Sequence, residues 1–286
     1  MSKISVSIVN WNTKDELKIC LEDVLNQDCE NDCEIIVVDN ASSDGSQQMM
    51  ESDYNGKITF IKNSANVGFG AGHNIAYSYS SGDYFFILNP DSRIPNQHTL
   101  KNMADFMDEN PDIGILGPKI TNPDGTLQFS ARTFPRIMAG IFRQTILGKW
   151  FPENSYVRNY LMTGWPHNEV RDVDWMSGCA LMIRREMIEQ IGLFDERYFM
   201  YVEDMDLCRR AHISNWRVVY YPMESIIHKI GAASDKSAKA MIKQHHKSML
   251  KYFIKYNSRS PKILLTPLVM LGIYIRMKSI LKKAGT

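Results

Sequence analysis

Short apolar or alternating runs at Ile4 to Val9, Ile35 to Val38, Ile58 to Ile61, Tyr84 to Leu88 and Ile113 to Leu116 predict β-strands. The stretches between them, about Lys14 to Asn26, Ser46 to Ser52, Ala71 to Ser80 and His98 to Glu109, predict helices. Strand and helix in turn is the pattern of a mostly parallel sheet covered on both faces, an α/β fold. Thr13 and either Ser43 or Asp44 are the expected N-caps, each offering a side-chain oxygen to unpaired backbone donors.

Regularity lapses from Asn122 to Val170, a stretch rich in Pro, Gly and aromatic residues that reads as a long excursion able to cover an active site. It returns at Asp174 to Ile183, Arg185 to Ile191 and Trp216 to Tyr221, which complete a core. We place a main domain at residues 1–228 and a helical extension at 229–286.

Composition is that of an ordinary globular chain, 44% hydrophobic and 23% charged, so a sizeable core can form. The formal charge of +1 hides a polarity: from His228 onward thirteen Lys and Arg face one acid, Asp235, for a net of +12. The preceding part, with 20 basic and 31 acidic residues, carries −11. Lys239, Lys243, Lys247, Lys251 and Lys255 fall at four-residue spacing, a basic row along a helix that suits a broad anionic surface. The apolar run Ile263 to Ile275 follows; at thirteen residues it is short of the roughly 20 needed to span a bilayer. An interfacial segment that inserts apolar side chains and keeps its lysines among anionic headgroups fits this order. Nucleic acid is not an expected partner, because no aromatic residues interleave with the basic row.

The five cysteines lack zinc-type spacing, and the start Met1-Ser2-Lys3 runs straight into a strand pattern, so reduced thiols and a cytoplasmic setting are expected. Gly68-Phe69-Gly70-Ala71-Gly72 has the wrong spacing and context for a dinucleotide fingerprint; it suits a tight turn with a helix N-terminus behind it.

Three acidic sites carry the candidate chemistry. Asp39 ends the second strand and either caps a turn or accepts the N3 hydrogen of a pyrimidine. Asp91 follows the fourth strand in Asn89-Pro90-Asp91, where one carboxylate, diphosphate oxygens and water would hold Mg2+ or Mn2+, with His228 a possible further ligand. Asp204, beside Glu203 and after an aromatic stretch, is the candidate general base, its pKa raised by burial and like charge. Glu203 and Asp206 have an alternative use, pairing with Arg209 and Arg210 on one helix.

Taken together, Val9-Asn10-Trp11-Asn12, the run from Val38 to Ser46, Asn66-Val67-Gly68-Phe69-Gly70, Leu88-Asn89-Pro90-Asp91 and the run from Tyr201 to Leu207 resemble the family 2 glycosyltransferases, particularly the bacterial rhamnosyltransferase-like branch. The resemblance implies a GT-A-type nucleotide-sugar fold and an enzyme that inverts the anomeric carbon. It implies that Asp39 contacts the base, with Asn10, Asn12, Asn66, Gly68 and Asn89 lining the nucleotide site. Asp91 and His228 would hold the metal, Asp204 would deprotonate the acceptor, and Trp175, Gly178 and Glu203 would shape the acceptor pocket. The family's Asp-X-Asp stands here as Asn89-Pro90-Asp91, one carboxylate fewer facing the cation.

The expected reaction is transfer of L-rhamnose from dTDP-L-rhamnose to a polyprenyl-diphosphate-linked saccharide at the inner face of the cell membrane, in surface polysaccharide synthesis. The alternatives are a UDP-sugar-dependent transferase of the same family and a noncatalytic sugar- or lipid-binding protein. A sugar-phosphate nucleotidyltransferase would need a glycine-rich basic loop where this chain has Asn10-Trp11-Asn12.

Overall fold

The computed structural model describes residues 2–29, 32–135, 154–229, 231 and 238–283. The first half alternates as the apolar pattern requires: β1 (Ile4–Asn10), α1 (Lys14–Leu25), β2 (Cys33–Asp39), α2 (Ser46–Asp53), β3 (Thr59–Lys62), α3 (Phe69–Ser78), β4 (Tyr84–Leu88), β5 (Ser92–Arg93), α4 (Thr99–Glu109) and β6 (Ile113–Thr121). The second half holds β7 (Ala131–Arg132), α5 (Ser155–Leu161), β8 (Arg171–Asp172), β9 (Trp175–Met176), β10 (Ala180–Arg184), α6 (Arg185–Ile191), α7 (Glu203–Ile213) and β11 (Arg217–His228). Helices α8 (Ala238–Asn257) and α9 (Thr266–Lys283) follow, joined through a short 3-10 turn at Pro261–Leu265.

The main sheet runs β3-β2-β1-β4-β10-β6-β11-β5, with β8 attached to β11. Strands β1 to β4 are parallel neighbours, and β6 and β11 are parallel to each other. Between β4 and β6 lies β10, antiparallel to both, with Ala180 paired to Leu88. Its first residue therefore stands at the edge where the parallel strands end, which brings Gly178 and Cys179 beside Asn89.

Side chains alternate across β4: Tyr84, Phe86 and Leu88 join one core, Phe85 and Ile87 the other. The first core takes the apolar stripe of α1 (Leu17, Cys20, Leu21, Val24) and that of α4 (Leu100, Met103, Ala104, Met107). The second takes Leu207, Cys208 and Ala211 of α7 together with Tyr252 of α8. A run buried on both faces explains why β4 reads as continuously apolar.

Four expectations need correction. Cys29 and Cys33 are joined in a disulfide, their Cα atoms 5.5 Å apart where the chain enters β2; Cys20, Cys179 and Cys208 are free and buried. Thr13 makes no cap, since its hydroxyl donates to Asn10 Oδ1; Asp44 instead accepts from the backbone N–H of both Lys14 and Ser46 and so serves two helix starts. The basic row of α8 does not lie free as a whole: Lys255 Nζ reaches Asp206 at 2.7 Å and Asp195 at 2.8 Å, and Lys251 bonds the Arg197 carbonyl. The apolar tail is longer than its thirteen-residue core. Pro267 is accommodated in the first turn of α9, and Pro261–Lys282 forms 22 residues of mean hydropathy 1.6, enough by length and composition to cross a membrane, with none of that stretch buried in the protein.

Candidate active site

The carboxyl ends of β1 and β2 carry Asn10 and Asp39 in register. Asp39 is buried and already holds three donors: Asn10 Nδ2 at 2.8 Å, the Ser42 N–H at 2.8 Å and Gln47 Nε2 at 2.7 Å. Asn12, at φ 56°, accepts the Ser43 N–H on its side-chain oxygen and donates its own N–H to Ser42. These residues form a braced loop base, and a cleft of ≈ 1420 Å³ opens beside them, lined by Val9, Trp11, Asn40, Asn66, Gly68 and Asn89 on that side.

Gly68 has φ 95°, and a Cβ there would stand 2.1 Å from the Phe199 carbonyl oxygen. Only glycine fits. The same carbonyl accepts the Phe69 N–H at 3.0 Å, and Asn40 Nδ2 donates to the Gly68 carbonyl at 3.1 Å. The start of α3 is thus used to fasten the segment that leads into Glu203 and Asp204.

At the end of β4, Asp91 faces His228 of β11, with Oδ1 and Nε2 3.3 Å apart. Gln128 Oε1 lies 3.1 Å from His228 Nδ1 and Asn89 Nδ2 lies 3.1 Å from Nε2, partners that suit a proton on Nδ1 and a lone pair on Nε2. Asp91 Oδ1 is buried without a hydrogen-bond partner. An orphaned carboxylate oxygen beside an imidazole nitrogen fits a divalent cation as a two-donor half-shell. No group of three potential ligands occurs among the described residues, so diphosphate oxygens and water would have to complete the shell.

Across the cleft, Tyr201 (φ 66°) and Val202 (φ 77°) enter α7 through consecutive left-handed residues, an uncommon conformation for non-glycine side chains. This turn aims the first helical turn at the cleft. Asp204 Oδ2 accepts the Gly178 N–H at 3.0 Å, and Oδ1 accepts the Met205 N–H at 2.8 Å. Burial raises the Asp204 pKa above its ordinary 3.8, against the pull of those two N–H groups. Glu203 is 4% exposed, with Oε2 unpartnered, and burial followed by the Asp204 charge pushes its pKa well up. Asp206 turns away: it is fully buried and bound by Arg210 at 2.9 Å and by Lys255. Its pairing with Arg210 is the salt-bridge reading of the sequence, whereas Glu203 has no ion pair among the described residues.

Asp91, His228, Asp204, Gly178, Trp175 and Glu203 all line the one cleft, while Asn10, Asn12 and Asp39 support its floor from outside the lining. Gln128, Arg132 and Arg209 are polar cleft residues that escaped sequence reasoning. Gln128 and Arg132 fall in the aperiodic stretch, and Arg209 reads as a helix-surface ion-pair partner.

Residues 5–192 match the model of glycosyl transferase family 2. The N-acetylglucosaminyl-diphospho-decaprenol L-rhamnosyltransferase of Mycobacterium tuberculosis is 31% identical over 225 residues, covering 75% of this chain and 72% of its own length. Rhamnosyltransferase WbbL of Escherichia coli is 26% identical over 262 residues, 88% of this chain and 93% of its own. In fold, the chain is similar to the mannosyltransferase PcManGT from Pyrobaculum calidifontis in complex with GDP-Man and Mn2+ (TM-score 0.60, 15% identity, 97% of this chain and 74% of that one). It is similar also to Staphylococcus aureus TarS 1-349 in complex with UDP-GlcNAc (TM-score 0.60, 20% identity, 97% and 73%). The central sheet described above is thus that of the GT-A glycosyltransferases.

Proposed function

The chain belongs to glycosyl transferase family 2, within its rhamnosyltransferase-like branch, and from that premise we propose that it transfers L-rhamnose, with inversion, from dTDP-L-rhamnose to a polyprenyl-diphosphate-linked saccharide during surface polysaccharide synthesis. The observation that carries the reaction type is the placing of Asp204 and the Asp91–His228 pair in one cleft, on elements that meet only because β10 inserts between β4 and β6. The donor and acceptor are supported by the names of the relatives from M. tuberculosis and E. coli.

Direct displacement needs a base on the acceptor side and charge neutralisation on the leaving side. Asp204 takes the proton of the acceptor hydroxyl as its oxygen bonds to the anomeric carbon, and the bond from that carbon to the diphosphate oxygen breaks. The two N–H donors on Asp204 fix its carboxylate in one orientation, so its free lone pairs face the cleft. Its raised pKa increases its basicity near neutrality. Asp91 and His228 are the residues that would hold Mg2+ or Mn2+, and a bound cation would neutralise charge on the departing diphosphate. Trp175, held by its indole N–H on the Thr133 carbonyl, and Gly178 shape the acceptor side. With Asp39 and its partners as the base pocket's frame, a pyrimidine ring would lie over the ends of β1 and β2.

Residues 229–286 supply the membrane-surface segment in this reading, with α9 in the interface, the catalytic body on the cytoplasmic side and anionic lipid as partner. The deciding experiment measures nucleoside diphosphate release from dTDP-, UDP- and GDP-sugars, with magnesium or manganese and a polyprenyl-diphosphate N-acetylglucosamine acceptor. Turnover confined to dTDP-rhamnose supports the reading; turnover confined to a UDP-sugar replaces the donor, and none with any donor removes the transferase.

A further inference from the structure

The cleft does not stop at Asp204. It continues past two guanidinium groups to the facing walls of α8 and α9. Arg132 lies on β7 opposite Trp175 of β9, its Cζ 5.1 Å from the Trp175 ring and 6.0 Å from the Tyr160 ring. Arg209 lies on α7 with Cζ 4.5 Å from the Tyr256 ring and 5.1 Å from that of Phe134. Each spends one donor on a neutral oxygen, Arg132 Nε on the Phe129 carbonyl and Arg209 on the Tyr252 hydroxyl at 3.3 Å. Arg210 and Arg217, by contrast, bind carboxylates directly. Among the described residues neither Arg132 nor Arg209 has a carboxylate partner. Both are held by aromatic faces, which orient the guanidinium plane and leave most of its N–H donors for an anion.

These cations belong to the acceptor half of the cleft. Arg132 is close enough for its charge to draw the Asp204 pKa down, and Arg209 is on the same helix as Asp204. The donor diphosphate has its own place at Asp91 and His228, on the other side. Beyond the arginines the walls become apolar: Met249 and Phe253 of α8 face Val269 and Ile273 of α9, the last two at i, i+4 spacing along one stripe. On the opposite side of α9, Leu268, Leu271 and Ile275 are 66%, 55% and 59% exposed. A helix apolar on both sides, with one side forming the wall of a reaction cleft, fits a boundary between protein and lipid.

We propose that Arg132 and Arg209 form the subsite for the diphosphate of an isoprenoid-diphosphate acceptor, and that the α8 and α9 walls take the first units of its hydrocarbon chain. The inference rests on the lipid-linked acceptor of the preceding reading and locates its binding. A diphosphate there would satisfy two partly buried guanidinium groups by bidentate bonds, and the chain would leave the cleft directly into the layer that covers α9.

The test is a binding titration of the full chain in mild detergent with geranylgeranyl diphosphate, and with geranylgeraniol as the uncharged reference. The double variant Arg132→Gln, Arg209→Gln is expected to bind the diphosphate more than about tenfold more weakly while keeping its affinity for the alcohol. Unchanged diphosphate affinity overturns the proposal, as does an equal loss for both ligands, which would mean that the arginines only support the walls. Arg132→Lys with Arg209→Lys keeps the charge but not the planar fork and serves as the folding control; it should bind the diphosphate more tightly than the glutamine variant does, and a loss as deep as in the glutamine variant overturns the electrostatic subsite. No donor sugar is involved, so failure of rhamnosyl transfer would remove the proposed function and leave this binding result to be decided by itself.

Discussion

The backbone N–H of Gly178 donates to Asp204 Oδ2 at 3.0 Å, tying the first turn of α7 to the loop that leads into β10. A Cβ at residue 178 would come 3.4 Å from the Asp204 Cβ and from the Phe69 ring, so the loop meets the acid at van der Waals distance. The candidate base is therefore positioned by backbone, whose geometry does not depend on a side-chain rotamer.

Asp204→Asn keeps the shape of the side chain and removes the proton acceptor, while its single amide oxygen can accept only one of the two N–H groups, of Gly178 or Met205, that the carboxylate accepts. Turnover with donor and acceptor should fall about 10²- to 10⁴-fold with donor affinity retained. Steady-state kinetics beside a nucleotide-binding titration separates the two; undiminished turnover would place the base elsewhere.

Glu203 gives a stability signature with a definite sign. Its folded pKa is raised above the ordinary 4.5, so as pH climbs past 4.5 the unfolded chain releases a proton that the folded chain keeps. Stability must fall with rising pH across that window, by up to about 1.4 kcal/mol per pH unit for one group. Glu203→Gln should remove this slope and be the more stable protein at pH 7, as read from the midpoints of urea melts between pH 4 and pH 8. Identical pH dependence in both proteins would count against a buried neutral Glu203.

Asp91 and His228 predict dependence on a divalent ion. Chelation should abolish transfer, and Asp91→Asn should raise the concentration of Mn2+ needed to restore it by about tenfold or more, since one of two protein donors loses its charge. Full activity after exhaustive chelation would mean that the pair serves the diphosphate directly.

Lys255→Met leaves Asp206, fully buried, with Arg210 as its remaining cation. Removing a hydrogen-bonded partner of a buried charge costs about 2–4 kcal/mol, reduced here because Arg210 stays. A drop in the denaturation midpoint is expected, and no drop would show that α8 is held by its apolar contacts alone.

Deleting Pro261–Thr286 should weaken binding to anionic vesicles strongly, since Leu264 of the 3-10 turn and Leu268, Leu271 and Ile275 of α9 lie on an uncovered surface. Cosedimentation with vesicles rich in phosphatidylglycerol measures it, and unchanged binding would assign membrane contact to α8.

Local order was legible in the sequence because it depends on local periodicity. Tyr84–Leu88 and Arg185–Ile191 coincide with the runs that announce them, and most other elements of the first half shift by only one or two residues at their ends. Asp204 and Asp91 were legible as carboxylates at the ends of apolar stretches. What the sequence hid depends on distant pairing. Nothing in Ala180–Arg184 says that it runs against its neighbours between β4 and β6, and without that insertion Gly178 has no reason to meet Asp204. Gln128 and Arg132 lie in a stretch without period, so their approach to His228 and Trp175 has no sequence signal. The four-residue lysine spacing looked like a surface feature because periodicity records which side chains share a face, without saying what that face meets; for Lys255 it meets Asp206.

That ion pair also has a practical consequence for anyone shortening the chain. Helix α8 lies past the sequence-based boundary at residue 228, yet its Tyr252 is inserted in the second core and its Lys255 and Tyr256 bind Asp206, two residues beyond the candidate base. A truncation after His228 would uncover an aromatic cluster and leave an acidic group short of its cation next to the reaction centre. One placed after Ser260 removes the uncovered apolar helix and spares the clasp, and so marks the shorter form suited to crystallisation and to kinetics in detergent-free buffer.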